Sequence, residues 1–276
     1  MERKLTGGGG PAPAETRVSR VGEVAVPVWF DELSSGLSIR PHFAISGNLR
    51  DLYPLDEGTG VAFLSFEQIL WRIVRAQKYE ALFFYDPDGG LRLHSECDDR
   101  AVPVLADHGL ELGQKAETPA AFAKLHRSIT TLEAFPVVFV IDYTSHLFER
   151  RPYGLSEVLV EADTTARQRM IAAGKQKQAP MSLGPTLWLV DKPGDLPEWF
   201  VVGNDALREV SVELPNLEDR YAFAKTLISN FAVGAPLDDT KSVALLEQFT
   251  LESDGMTLVG VNSGARLADC GGLWCR

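Results

Sequence analysis

The stretch FPVVFVIDYTSHLFE, Phe135 to Glu149, decides how the chain is read. Val137 to Ile141 is an unbroken apolar run rich in β-branched residues, as expected of a parallel strand buried on both faces, and it ends in a carboxylate, Asp142. Such a strand delivers Asp142 to the edge of a sheet. What that carboxylate serves depends on the loop that follows the first strand.

In PHFAISGNLRDLY, Phe43 to Ser46 is a short apolar strand, and Gly47-Asn48 ends it with residues that tolerate positive φ. The segment Leu49 to Phe63, LRDLYPLDEGTGVAF, then reads as a loop, long for a strand-to-helix connection and therefore a functional candidate. A helix follows from Ser65, which suits an N-cap, with Gln68 at the capping-box position and Ile69, Leu70, Ile73 and Val74 on its buried face. Ala81 to Tyr85 is a second buried strand, closed by the turn residues Asp86 to Gly90, with Leu91 to His94 as a hairpin partner. Ser95 to Lys115 reads as loop with room for a short helix, and Thr118-Pro119 opens a helix carrying Phe122, Leu125, Ile129 and Leu132.

Downstream of Asp142 the pattern continues in alternation. Leu155 to Ala173 is a helix ended by Gly174, KQKQAPMSLG is polar, and Thr186 to Val190 is a strand that again ends in an acid, Asp191. Pro197 to Gly203 reads as irregular or a short strand, Glu209 to Leu214 as a further strand, and Leu217 to Phe231 as a helix capped by Asn216. Two short helices, Ser242 to Phe249 and Met256 to Ala268, complete the pattern. Strands alternating with helices imply an α/β fold: a three-layer parallel sheet of about five strands with helices on both faces, plus a small C-terminal helical lid. The division expected is an arm over residues 1–22, rich in Gly, Pro and Ala and disordered by composition, an α/β domain over 23–233, and a partial lid over 234–276. The ending CGGLWCR has no periodic continuation, so a truncated version of something longer is expected.

At 276 residues and 45% hydrophobic content the chain can bury a large core. A net charge of −11 argues against nucleic acid and anionic membranes as partners, because both would be repelled by the average field, and no basic run is longer than the pair Arg150 and Arg151. Three cysteines, Cys97, Cys270 and Cys275, are too few and unevenly placed for a disulfide framework, and with no apolar signal segment the expected location is the cytoplasm. Asp142 and His146 are close enough in sequence to suggest acid–base chemistry, although a His beside Leu147-Phe148 is as readily a packed one. His94 and Cys97 lack a second ligand pair at zinc-site spacing, and an exposed loop is their default reading.

The order of a strand ending in Asp142, a helix, a strand ending in Asp191, and then REVSVELPNLEDR leading into a helix and a helical tail resembles the second half of an AAA+ ATPase module. VVFVID is similar to the Walker B strand of that family, whose carboxylate orders magnesium. The chain from Arg208 to Arg220 is similar to the segment that leads into the lid. The resemblance implies ATP and Mg2+ as cofactors and, as nucleotide-binding candidates, Gly47, Asn48, Gly58, Thr59, Gly60, Asp142 and Asp191, with Asp142 as the metal ligand and Arg208 and Arg220 as interface candidates. Surface ion pairs with Glu209, Glu218 and Asp219 are the plain alternative for the two arginines. Turn flexibility is the alternative for the Gly58 to Gly60 triplet.

The departures point elsewhere. The phosphate-cradling pattern Gly-x-x-x-x-Gly-Lys-Ser/Thr occurs nowhere in the sequence, and GNLRDLYPLDEGTG stands where it belongs. Asp142 is followed by Tyr143 in place of a water-activating glutamate, Asp191-Lys192-Pro193 occupies the sensor position, and Gly203-Asn204 stands where a Gly-Arg pair would supply an arginine finger. Losing the cradle, the base and the cation together leaves a phosphoryl-transfer transition state with little electrostatic stabilisation. The expectation is a degenerate, non-hydrolysing AAA+ module that acts as scaffold or regulatory partner of an active AAA+ ATPase, or of a second copy of itself. Two alternatives stay open: a nucleotide-binding ATPase with a divergent phosphate loop at Gly47 to Gly60, and a protein-binding module of a bacterial defence or signalling assembly.

Overall fold

The computed structural model describes residues 26–56, 58, 60–149, 153–175, 184–231 and 239–270. The arm at 1–22, Thr59, Arg150-Arg151, the run 176–183, the linker residues 235–238 and the ending 271–276 lie outside the described residues.

Six strands form the main sheet: β1 (His42–Gly47), β4 (Ala81–Asp86), β5 (Gly90–Leu93), β6 (Val137–Ile141), β7 (Thr186–Leu189) and β8 (Leu207–Val212), in the order β5-β4-β6-β7-β1-β8. Five of them run parallel, and β5 returns antiparallel on β4 through the Asp86 to Gly90 turn. Burial on both faces explains why the inner strands β4, β6 and β7 read as continuous apolar runs, whereas the edge strand β8 alternates buried and exposed residues. Along β6 the side chains alternate between two cores. Val137, Phe139 and Ile141 join Phe122, Leu125, Ile129, Val158 and Leu159 on one face, while Val138 and Val140 join Leu33, Leu70, Ile73 and Val74 on the other.

The first face is covered by α3 (Ala101–Asp107), α4 (Pro119–Thr130), α5 (Gly154–Lys175) and α6 (Glu198–Val201); the second by α1 (Val28–Gly36) and α2 (Phe66–Ala76). The cap readings hold in detail. Ser65 Oγ accepts from the Gln68 amide while Gln68 Oε1 accepts from the Ser65 amide, and Thr118 Oγ1 accepts from the Ala121 amide with Pro119 in the first turn. Among the described residues no helix is long and apolar enough to cross a membrane.

Three readings are corrected. The segment after β1 is no open loop: Leu52–Asp56 (β2) and Val61–Ser65 (β3) pair antiparallel, Leu52 opposite Ser65 and Asp56 opposite Val61, as a hairpin that runs straight into α2. Pro54 and the acidic, glycine-bearing tip mask its alternation, because proline is poor within strands unless it sits on an edge. Second, α5 continues through Gly174 to Lys175, since an isolated glycine costs a helix only about 1 kcal/mol. Third, residues 197–203 contain the short helix α6, anchored by the fully buried Phe200.

The C-terminal helices α7 (Leu217–Phe231), α8 (Asp239–Glu252) and α9 (Leu258–Cys270) form their own small core, in which Phe223, Leu227, Leu258, Val261 and Ala265 pack with Leu52 and Phe63 of the hairpin. The Phe63 and Phe223 rings meet edge to face with centroids 4.9 Å apart. The hairpin is therefore the surface on which these helices sit.

Candidate functional site

Parallel strands bring their carboxyl ends to one edge, which is where open α/β sheets place their ligands. Here that edge gathers Gly47 at the end of β1 with Asn48 after it, Asp142 after β6 and Asp191 just past β7. Gly58 and Gly60 are not part of it. They lie at the hairpin tip, about 14 Å of strand beyond its base by the usual rise per residue, with open space where a Cβ would stand.

Asp142 is buried to 7% exposure, and both its oxygens are engaged. Arg50 Nη1 donates to Oδ2 at 2.8 Å and Nη2 to Oδ1 at 2.6 Å, a bidentate pair between residues 92 apart in sequence. The Tyr143 amide adds a third bond to Oδ1 at 2.8 Å, with Tyr143 itself in the left-handed conformation at φ 51°. Its ring lies under the guanidinium, 4.5 Å from centroid to Cζ. Hydrogen bonding to Asp142 holds the Arg50 proton more firmly than usual, outweighing the effect of partial burial.

This arrangement does not fit Asp142 as a magnesium ligand. A divalent cation would have to displace a guanidinium already bound face-on to the carboxylate, and magnesium gives up its own waters reluctantly. Among the described residues no group of three or more His, Cys, Asp or Glu side chains is placed to hold a metal ion, so His94 and Cys97 do not form such a site. Instead His94 stacks on Trp71 with centroids 5.0 Å apart, and Cys97 Sγ accepts from the Leu82 amide at 3.4 Å.

Asp191 belongs to the rim. Its Oδ2 lies 2.7 Å from His146 Nε2, and that hydrogen bond, chiefly, raises the His146 pKa above the ordinary value. The Asp191 amide donates to Ser145 Oγ, which in turn donates to Asp195 Oδ2 at 2.7 Å. The sequence pairing of His146 with Asp142 is thus replaced by a pairing with Asp191.

Arg50 and its neighbour Asp51 were not singled out by sequence, although opposite charges side by side in the segment that lacks the expected lysine were a usable signal. Asp51 is 3% exposed. Its carboxylate accepts from Asn48 Nδ2 at 2.8 Å and from the Leu258 and Val259 amides of α9 at 3.0 and 2.8 Å. Tyr53 closes the turn by donating its hydroxyl to the Asn48 carbonyl.

The two interface candidates part company. Arg208 is half exposed and pairs with Glu32 of α1 at 3.2 Å. Arg220 is buried: Nη1 donates to the Pro215 carbonyl at 2.9 Å, Nε to the Thr250 carbonyl at 3.4 Å, and Nη2 pairs with Asp254 at 2.8 Å. It joins the start of α7 to the end of α8 and does not form the surface pairs with Glu209, Glu218 or Asp219. Asp219 and Asn216 cap α7 reciprocally through their side chains and amides, at 2.9 and 3.1 Å. Burial raises the Asp219 pKa, and Asp219 Oδ1 has no hydrogen-bond partner among the described residues. A cavity of about 180 Å³ lies beside it, lined also by Trp29, Asn48, Leu52, Tyr53 and Leu214.

No curated protein matches this chain. Among solved structures, the FIGL-1 AAA domain in complex with ADP is similar at 15% identity and a TM-score of 0.45, over 85% of this chain and 62% of that one. This chain thus spans less than two thirds of that chain's length. Residues 12–213, most of the sequence, match the family model for the AAA+ chaperone, N-terminal Rossmann-like domain. With the parallel sheet and the strand-borne carboxylate already in place, that match makes this chain a member of the AAA+ family, carrying the N-terminal Rossmann-like domain of AAA+ chaperones.

Proposed function

We propose that this protein is a non-hydrolysing AAA+ module that serves as scaffold or regulatory partner of an active AAA+ ATPase. The observation that carries the reading is the bidentate Arg50–Asp142 pair, which puts a side-chain cation where a catalytic metal would need to be. Support also comes from the hairpin β2–β3, which follows β1 directly in place of a phosphate-cradling turn and helix. The family description, which names an N-terminal domain of an AAA+ chaperone, suits a module that works beside a catalytic one. On this reading the partner is a protein, and neither nucleic acid nor membrane is engaged.

Purified protein mixed with ATP and magnesium is expected to show no turnover above a buffer control, and Asp142→Ala is expected to leave that null result unchanged. Turnover that Asp142→Ala abolishes would overturn the proposal.

A further inference from the structure

Arg50 and Asp51 are consecutive, opposite in charge, and committed to opposite partners. The guanidinium sits on Asp142 at the carboxyl end of β6, while the carboxylate sits at the amino end of α9. We propose that the Arg50-Asp51 pair is an internal ligand: its cation fills the position on Asp142 and its anion fills the helix terminus of α9, so the seating of the C-terminal helices on the hairpin is independent of nucleotide. This inference rests on the non-hydrolysing reading above and goes further, since it says what holds the helices in place.

The unsatisfied amides of a helix's first turn, together with the aligned peptide dipoles, attract a negative charge. In α9 the local cap is partial. Thr257 Oγ1 accepts from the Gly260 amide at 3.0 Å, and the Leu258 and Val259 amides turn to Asp51, about two hundred residues away in the chain. A carboxylate drawn from that distance fixes tertiary docking as well as the helix end. Asn48 Nδ2 supplies a further donor to the same carboxylate, so Asp51 is buried without being uncompensated. Residues 50 and 51 share one backbone segment, which places the seat of α9 directly beside the occupant of Asp142. Leu52, next in line, packs against the α7–α9 core, and Arg220 ties α7 to α8.

Hydrogen exchange on the full chain tests this. In the wild type, exchange in α9 is expected to be the same with and without ADP and magnesium. Asp51→Ala is expected to speed exchange of the first-turn α9 amides roughly tenfold, the factor that loss of a helix cap of ordinary strength gives, with β6 amides unchanged. Inorganic phosphate, offered as a substitute anion, should then restore the protection. Asp51→Asn keeps one acceptor without the charge and should fall between the two, which covers the case in which Asp51→Ala folds poorly. The inference is overturned if Asp51→Asn and Asp51→Ala leave α9 as protected as in the wild type, if β6 loosens equally, if phosphate restores nothing, or if ADP with magnesium protects wild-type α9. ATP turnover by the wild type sinks the non-hydrolysing reading instead, so the two failures are told apart.

Discussion

Between pH 7 and pH 5 the protein is expected to lose about 4 kcal/mol of folding stability, through His42 and His126. His42 opens β1 and His126 lies on the inner face of α4; both are nearly inaccessible, at 1% and 2% exposure. His126 stacks on Trp188 at 17° with its Nε2 2.9 Å from Thr186 Oγ1, and Trp188 Nε1 donates to His42 Nδ1 at 3.4 Å. Burial, the largest influence, lowers the His42 pKa to about 4 against a weaker upward pull from Asp163. Burial again, then the neighbouring His42, lowers His126 to about 3.

The sign follows from these directions. Both rings are neutral in the folded state down to their depressed values, whereas in the unfolded chain they take up protons near pH 6.5, so stability is present above the unfolded pKa and falls as pH drops toward the folded one. Each contributes about 2 kcal/mol by pH 5. Burial lowers His94 as well and adds in the same direction, while the exposed His146, raised by Asp191, opposes. Urea unfolding at the two pH values measures the loss. A wild-type midpoint that does not move, or a His42→Leu, His126→Leu double variant that keeps the full pH dependence, would refute it.

The parallel sheet was legible because its signal is local: four apolar runs, each too short for a helix, and the alternating run Glu209 to Leu214, with helices between them of which α2 and α4 carry clear caps. Asp142 and Asp191 were placed at the sheet edge for the same reason. What periodicity could not carry was pairing across the chain. Nothing in the local pattern of NLRDLY says that its arginine meets residue 142 and its aspartate residue 258, because both bonds depend on how hairpin, sheet and C-terminal helices converge. The hairpin was hidden by Pro54 and by an acidic tip that looks like loop chemistry. Arg220 was misread for a related reason. A charged residue in an acidic turn suggests the surface, and only the arrival of α8 buries it.

Gly47→Ala is expected to cost at least about 3 kcal/mol, while Gly58→Ala, in an equally glycine-like stretch of the same segment, should cost about 1 kcal/mol. Gly47 has φ +104°, where an L side chain is strained, and a Cβ there would lie 2.2 Å from the Val212 carbonyl oxygen. That oxygen cannot yield cheaply. It accepts from the Asn48 amide at 2.9 Å, and Val212 is the register partner of Gly47 in the β1–β8 ladder, just ahead of the turn into α7. Gly58 has φ +78° and, among the described residues, no atom within 4 Å of its would-be Cβ, so only the backbone cost remains. Urea unfolding of the two variants separates the cases, and equal losses, or a Gly47→Ala protein as stable as the wild type, would remove the argument. The contrast bears on function. A glycine following the first strand of such a sheet invites the reading of a phosphate cradle, yet close approach of β8 accounts for Gly47 by itself, and the residues that organise the edge are the charged pair Arg50 and Asp51.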